Sequence, residues 1–91
     1  MNVHRNQQKK DLVLKMIKEL VTLQTQVPKE AAKKLDYLLK GFLHDALDFE
    51  QGLYYINNNL MESRTIPMKI FWAQVVKIVR KYFDEAKKLS L

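Results

Sequence analysis

The residues best placed to do chemistry are His44, Asp45 and Asp48. On a continuous helix His44 and Asp48 are i, i+4 neighbours on one face. A carboxylate there could orient an imidazole for acid–base work, or the pair could supply two metal ligands. No third ligand accompanies them, because the other histidine, His4, lies in the polar N-terminal stretch and the chain has no cysteine. The plainer reading is a solvated histidine beside a helix-capping carboxylate. Asp84 and Glu85 fall in the last turns of the final helix, where they oppose the helix dipole and read as ordinary surface. Gly41 and Gly52 stand 11 residues apart and form no phosphate loop, and HExxH and GxSxG are absent. Without cysteine there is no thiol nucleophile, thiolate metal site or disulfide framework, which fits a reducing cytoplasm. These residue types argue against an enzyme and imply no cofactor and no metal.

The cations suggest a different use. The 16 Lys and Arg outnumber the 10 Asp and Glu, for a net charge of +6 and a pI near 9.6. Such a charge favours an acidic protein surface, an anionic membrane face or nucleic acid, although lysine-covered helix backs explain it more plainly. Lys69, Lys77, Arg80, Lys81, Lys87 and Lys88 run along the last helix, with Arg5, Lys9 and Lys10 at the other end of the chain. A groove-reading helix would need such a row. Only three cations are arginine, however, and no stacking aromatic interleaves with the row. A protein partner therefore ranks ahead of nucleic acid. The candidate partner-binding residues are these six cations with Arg64, Tyr54 and Tyr55. The tyrosines and Met61 read first as core filler, yet near a bundle end they could form a recognition patch.

The elements that must position these residues are helical. Hydrophobic content of 47% with two Gly and two Pro indicates one compact helical domain over residues 1–91. The last helix organises it. Met68, Phe71, Val75, Ile78 and Tyr82 step by three or four, as do Trp72, Val75, Val79, Tyr82, Ala86 and Leu89. So broad a stripe needs other helices to cover it, and it turns the only Trp inward.

From Lys9, the residues Val13, Met16, Leu20, Leu23 and Val27 mark a first helix, widened by Leu12 and Ile17. It ends near Gln26, because Pro28 disfavours the α conformation at Val27. Pro28 suits the first turn of a second helix with an apolar face from Ala31/Ala32 through Leu35, Leu38/Leu39 and Phe42/Leu43 to Ala46/Leu47. Gly41 costs about 1 kcal/mol inside it and would let another helix approach. Apolar spacing continues in phase through Phe49, Leu53, Ile56 and Leu60. One helix over 28–63 is therefore open, and its bare apolar surface would call for a second chain. The favoured reading breaks the helix at 47–52, with Asp48 and Gln51 forming a capping box and Gly52 easing the bend. Asn57-Asn58-Asn59 is a poor helix run. Residues 63–66 form a loop, and Thr65 or Ile66 caps the fourth helix with Pro67 in its first turn.

The expectation is an all-α, single-domain antiparallel four-helix bundle. The alternative is three helices with one long central helix, as a dimer, so monomer and homodimer both stay open. The longest uncharged run, Gln51–Met61, has 11 residues against the roughly 20 a membrane span needs. The N-terminus carries no signal-peptide pattern, so a cytoplasmic location is expected.

With the helices placed, the chain resembles the immunity proteins of pediocin-like (class IIa) bacteriocins. The resemblance rests on the Lys-rich start of the first helix (Lys9-Lys10-Asp11-Leu12-Val13-Leu14) and the Leu-rich second helix. It continues in Leu53-Tyr54-Tyr55-Ile56 and in the junction Arg64-Thr65-Ile66-Pro67. Family members have a longer loop between helices 2 and 3 and a tail after helix 4, and this chain departs from both. The resemblance implies a bacterial, cytosolic, basic four-helix bundle without catalysis. It would protect the producing cell on the cytoplasmic side, where bacteriocin engages the mannose phosphotransferase permease, with recognition in the C-terminal half. Leu39-Lys40-Gly41-Phe42-Leu43 followed by Leu47-Asp48-Phe49-Glu50-Gln51 is also similar to the TAF-homology domain of transcription cofactors. That domain binds amphipathic helices in a groove, but its proline-interrupted fourth helix has no counterpart here.

Overall fold

The computed structural model describes residues 3–89, with side chains from residue 7, so Arg5 and His4 lie outside the described side chains. Four α-helices follow one another: α1 (Val3–Val21), α2 (Ala32–Leu43), α3 (Phe49–Glu62) and α4 (Ile66–Leu89). Two short 3₁₀ stretches, Thr22–Gln26 and Lys29–Ala31, join α1 to α2. The α part of the first helix stops earlier than the expected Gln26. There the Thr22 hydroxyl donates to the Glu19 carbonyl at 2.5 Å, and such local bonds compete with the helical ladder. Pro28 is extended (ψ 146°) and precedes the second 3₁₀ turn rather than lying inside α2.

The long-helix alternative is excluded by the geometry at 44–48. Asp45 adopts φ 61°, the left-handed conformation that ends helices. Its N–H donates to the Phe42 carbonyl (3.3 Å) and the Ala46 N–H to the Gly41 carbonyl (2.8 Å). These are the two bonds of a Schellman stop, here with Asp where Gly is usual. The chain then restarts through the expected capping box. Asp48 Oδ1 accepts from the Gln51 N–H at 2.8 Å, and Gln51 Oε1 accepts from the Asp48 N–H at 3.0 Å. Gly41 admits no neighbouring helix; a Cβ there would lie 2.7 Å from Cγ of Leu47 in the turn. Gly52 is not a hinge either. It sits inside α3, where a Cβ would collide with the Phe42 ring of α2, so it is the seat on which α2 and α3 meet.

The helices form an elongated antiparallel four-helix bundle of 47 × 20 × 19 Å. Phe49, at the start of α3, stacks on Phe83 near the end of α4 (5.8 Å, 16°), which fixes those two as antiparallel. Tyr37–Tyr55 and Phe42–Phe49 ring pairs join α2 to α3 in the same sense. The buried set contains Met16 and Leu20 of α1, Leu35, Leu38 and Phe42 of α2, and Leu53 and Ile56 of α3. Phe71, Trp72, Val75, Val79, Tyr82 and Ala86 complete it from α4. Trp72 is fully buried, and of the buried side-chain polar atoms its Nε1 is the one without a partner among the described residues. No described helix is long and apolar enough to cross a membrane.

Candidate functional site

Helix α4 divides the molecule into a packed side and a free side. Because its apolar residues recur every three or four positions, one stripe is buried and the remaining positions face outward. Lys69, Lys77, Arg80, Lys81, Lys87 and Lys88 are all exposed, as the sequence pattern requires. They are not equivalent. Lys81 Nζ bonds Glu19 Oε1 of α1 at 2.7 Å, and that hydrogen bond raises the Lys81 pKa above the usual lysine range. Lys87 Nζ lies 4.3 Å from the Phe83 ring centroid. Lys69, Lys77, Arg80 and Lys88 form no ion pair among the described residues. Lys81 is therefore turned toward α1, while the other cations stay available.

The row 69, 73, 76, 80, 83, 87 follows one side of α4 by helical spacing. Phe83 in that row stacks on Phe49, so Lys69, Arg80 and Lys87 flank α3. The second series, Ile66, Ile70, Ala73, Lys77, Asp84 and Lys88, faces outward and is exposed throughout. This outer side changes character along its length: aliphatic in the first turns, charged thereafter.

The two candidate tyrosines separate. Tyr54 is exposed on α3, whereas Tyr55 is half-buried and pairs with Tyr37 of α2 at 5.0 Å. Burial raises the Tyr55 pKa above the ordinary phenol value. Tyr55 is thus a packing residue between α2 and α3 more than a surface one. Arg64 is exposed in the three-residue connection between α3 and α4. Beside it lies Asn59, which the sequence marks only as part of a poor helix run; it is buried within α3. Its Nδ2 donates to the Tyr55 carbonyl (3.1 Å), and Ser63 Oγ donates to the Asn59 carbonyl (2.7 Å). A buried amide inside an Asn run carries no sequence signal that separates it from its neighbours.

The His44–Asp48 pair requires a helix through both positions, and α2 stops at Leu43. Asp48 directs its carboxylate to the Gln51 N–H instead, and His44 is exposed. Both residues border an open cleft of 790 Å³ between the first half of α1 and the α2–α3 turn. Lys9 and Lys10 lie along α1, Asp45 and Asp48 along the turn, and Leu14 and Leu43 are partly exposed between them. Among the described residues no group of three or more His, Cys, Asp or Glu side chains is arranged to hold a metal ion.

No protein-family model, no curated protein and no solved structure matches the chain. Exposed on α3 and α4 are Tyr54, Met61, Ile66, Ile70 and the cations Lys69, Lys77, Arg80 and Lys88, which form no ion pair among the described residues.

Proposed function

We propose that this chain is a noncatalytic cytoplasmic bundle that binds a protein through the outer side of α3 and α4. The observation that supports this most directly is the division of α4. Its aromatic residues are spent on the core, and Lys69, Lys77, Arg80 and Lys88 remain outside with no ion pair among the described residues. Tyr54, 72% exposed, is the aromatic left over for recognition on that side, and an amphipathic ring beside cations suits a partly polar interface. The resemblance to class IIa immunity proteins then specifies the partner, the bacteriocin-engaged permease at its cytoplasmic face, and with it a protective role in a bacterial producer cell.

Expression in a bacteriocin-sensitive strain tests the reading. Protection against at least one class IIa peptide is expected, and it should be lost in the Lys77→Glu/Arg80→Glu double variant while the helical circular-dichroism signal stays unchanged. Full sensitivity to the whole panel with the unaltered chain would remove the immunity role. The nucleic-acid alternative predicts duplex binding that weakens steeply with added salt, and a flat gel-shift titration at low salt would end it.

A further inference from the structure

The α3–α4 connection carries a concentration of exposed aliphatic side chains that the bundle does not use. Met61 in the last turn of α3 is 81% exposed, Ile66 at the first position of α4 is 72% exposed, and Ile70 one turn later is 55% exposed. They stand on either side of a turn only three residues long. Ile66 and Ile70 share one face by their i, i+4 spacing. Two cations sit among them: Arg64 in the turn and Lys69 within the same stretch of α4, both exposed. The start of α2 lies at this end too, because Glu30 and Lys34 border the same depression as Arg64, Thr65 and Met68. This end therefore holds five cations (Lys29, Lys33, Lys34, Arg64, Lys69) against two carboxylates, Glu30 and Glu62.

We propose that the α3–α4 tip docks on anionic lipid, with Met61, Ile66 and Ile70 entering the headgroup boundary and the surrounding cations meeting lipid phosphates. The two halves of the tip are the two things peripheral membrane binding requires, a few apolar side chains to bury and a basic collar to attract a negative surface. Residue type favours lipid over an acidic protein. A protein hot spot is an aromatic or Arg anchor seated in a complementary pocket, whereas the apolar side chains exposed here, Met61, Ile66 and Ile70, are all aliphatic and a fluid bilayer accepts them without a matching surface. This inference goes beyond the protein-binding reading and does not depend on it, since vesicle binding and protection are read in separate assays.

The full chain is to be sedimented with vesicles of phosphatidylcholine alone and of phosphatidylcholine with an equal part of phosphatidylglycerol. Binding at least about tenfold tighter to the anionic vesicles is expected, weakening as salt is added. Replacing all three aliphatics (Met61→Ser, Ile66→Ser, Ile70→Ser) should weaken binding about tenfold with an unchanged helical signal, because none of the three is buried. Arg64→Glu/Lys69→Glu should abolish it, and Lys9→Glu/Lys10→Glu at the opposite end should leave it intact. The cysteine-free chain also accepts a single polarity-sensitive dye. At Ile66→Cys the emission should shift to the blue on vesicles, and at Asp45→Cys it should not. No binding to anionic vesicles, equal loss in both charge-reversed variants, or no loss in the aliphatic triple variant would each overturn the proposal. Retention on an immobilised acidic polypeptide without vesicle binding would replace lipid by an acidic protein.

Discussion

The two ends of the bundle solve the same problem, reversing the chain between antiparallel helices, with different chemistry. At the α2–α3 end the reversal takes residues 44–48 and is closed by polar groups throughout: a Schellman stop at Asp45 and a reciprocal capping box at Asp48. At the α3–α4 end three residues suffice, and the polar closure is slighter. Thr65 Oγ1 accepts from the Met68 N–H at 3.3 Å, and Ser63 Oγ returns to the Asn59 carbonyl. The charges divide in parallel. Around the α2–α3 end the described cations Lys9, Lys10, Lys40, Lys87 and Lys88 stand among six carboxylates (Asp11, Asp45, Asp48, Glu50, Asp84, Glu85), while the other end has a cationic excess. An end whose carboxylates offset its cations presents little net charge to a partner. An end closed by packing keeps its cations and aliphatics free. The structural turn and the docking turn are different turns.

Four measurements probe the difference between the two ends. The largest effect should come from the core beneath the α3–α4 end. Trp72→Ala removes a fully buried ring and should cost about 3–5 kcal/mol in urea unfolding. A loss below about 1 kcal/mol would mean that this end stands on its turn and not on its packing. Next, Gly52→Ala drives a methyl into the Phe42 ring. Even with the better helix propensity of Ala it should cost about 1–2 kcal/mol, and a gain would show that Phe42 moves aside and that α2 and α3 are not seated there. Third, Asp48→Ala removes one half of a capping box and should cost about 1 kcal/mol, against about 0.5 kcal/mol for Thr65→Ala with its longer bond. Equal losses in thermal melts would erase the claimed difference between the turns. The smallest change has the opposite sign: Asp45→Gly relieves a left-handed residue and should gain about 0.5 kcal/mol. A loss would mean that the Asp45 side chain contributes more than its backbone strain costs.

How much of this was legible in the sequence varies from residue to residue. The restart of α3 was readable because a capping box is local, with both partners three residues apart. The stop of α2 was not, because its left-handed residue is Asp45 and the glycines that would signal a stop stand at 41 and 52. Gly41 suggested room for a neighbouring helix and Gly52 suggested backbone freedom, and both serve as gaps for single side chains, Leu47 at Gly41 and Phe42 at Gly52. The exposure of the α4 cations was readable from spacing. That Lys81 is occupied by Glu19 was not, since the two are 62 residues apart in the chain. Tyr54 and Tyr55 look alike in sequence, and only the placement of Tyr37 separates a surface ring from a packed one.

Periodicity by itself determined which side of each helix is apolar, and hence that Trp72 and Phe71 point inward while lysines line the outside. That follows from 3.6 residues per turn, a property of the chain over a few neighbours. Which outward residues share an end, which glycine receives which ring, and where the charges gather were settled only by tertiary structure. Those relations depend on where each helix stops and how far it runs beside its neighbour, and contacts between residues distant in the chain are not written in local spacing.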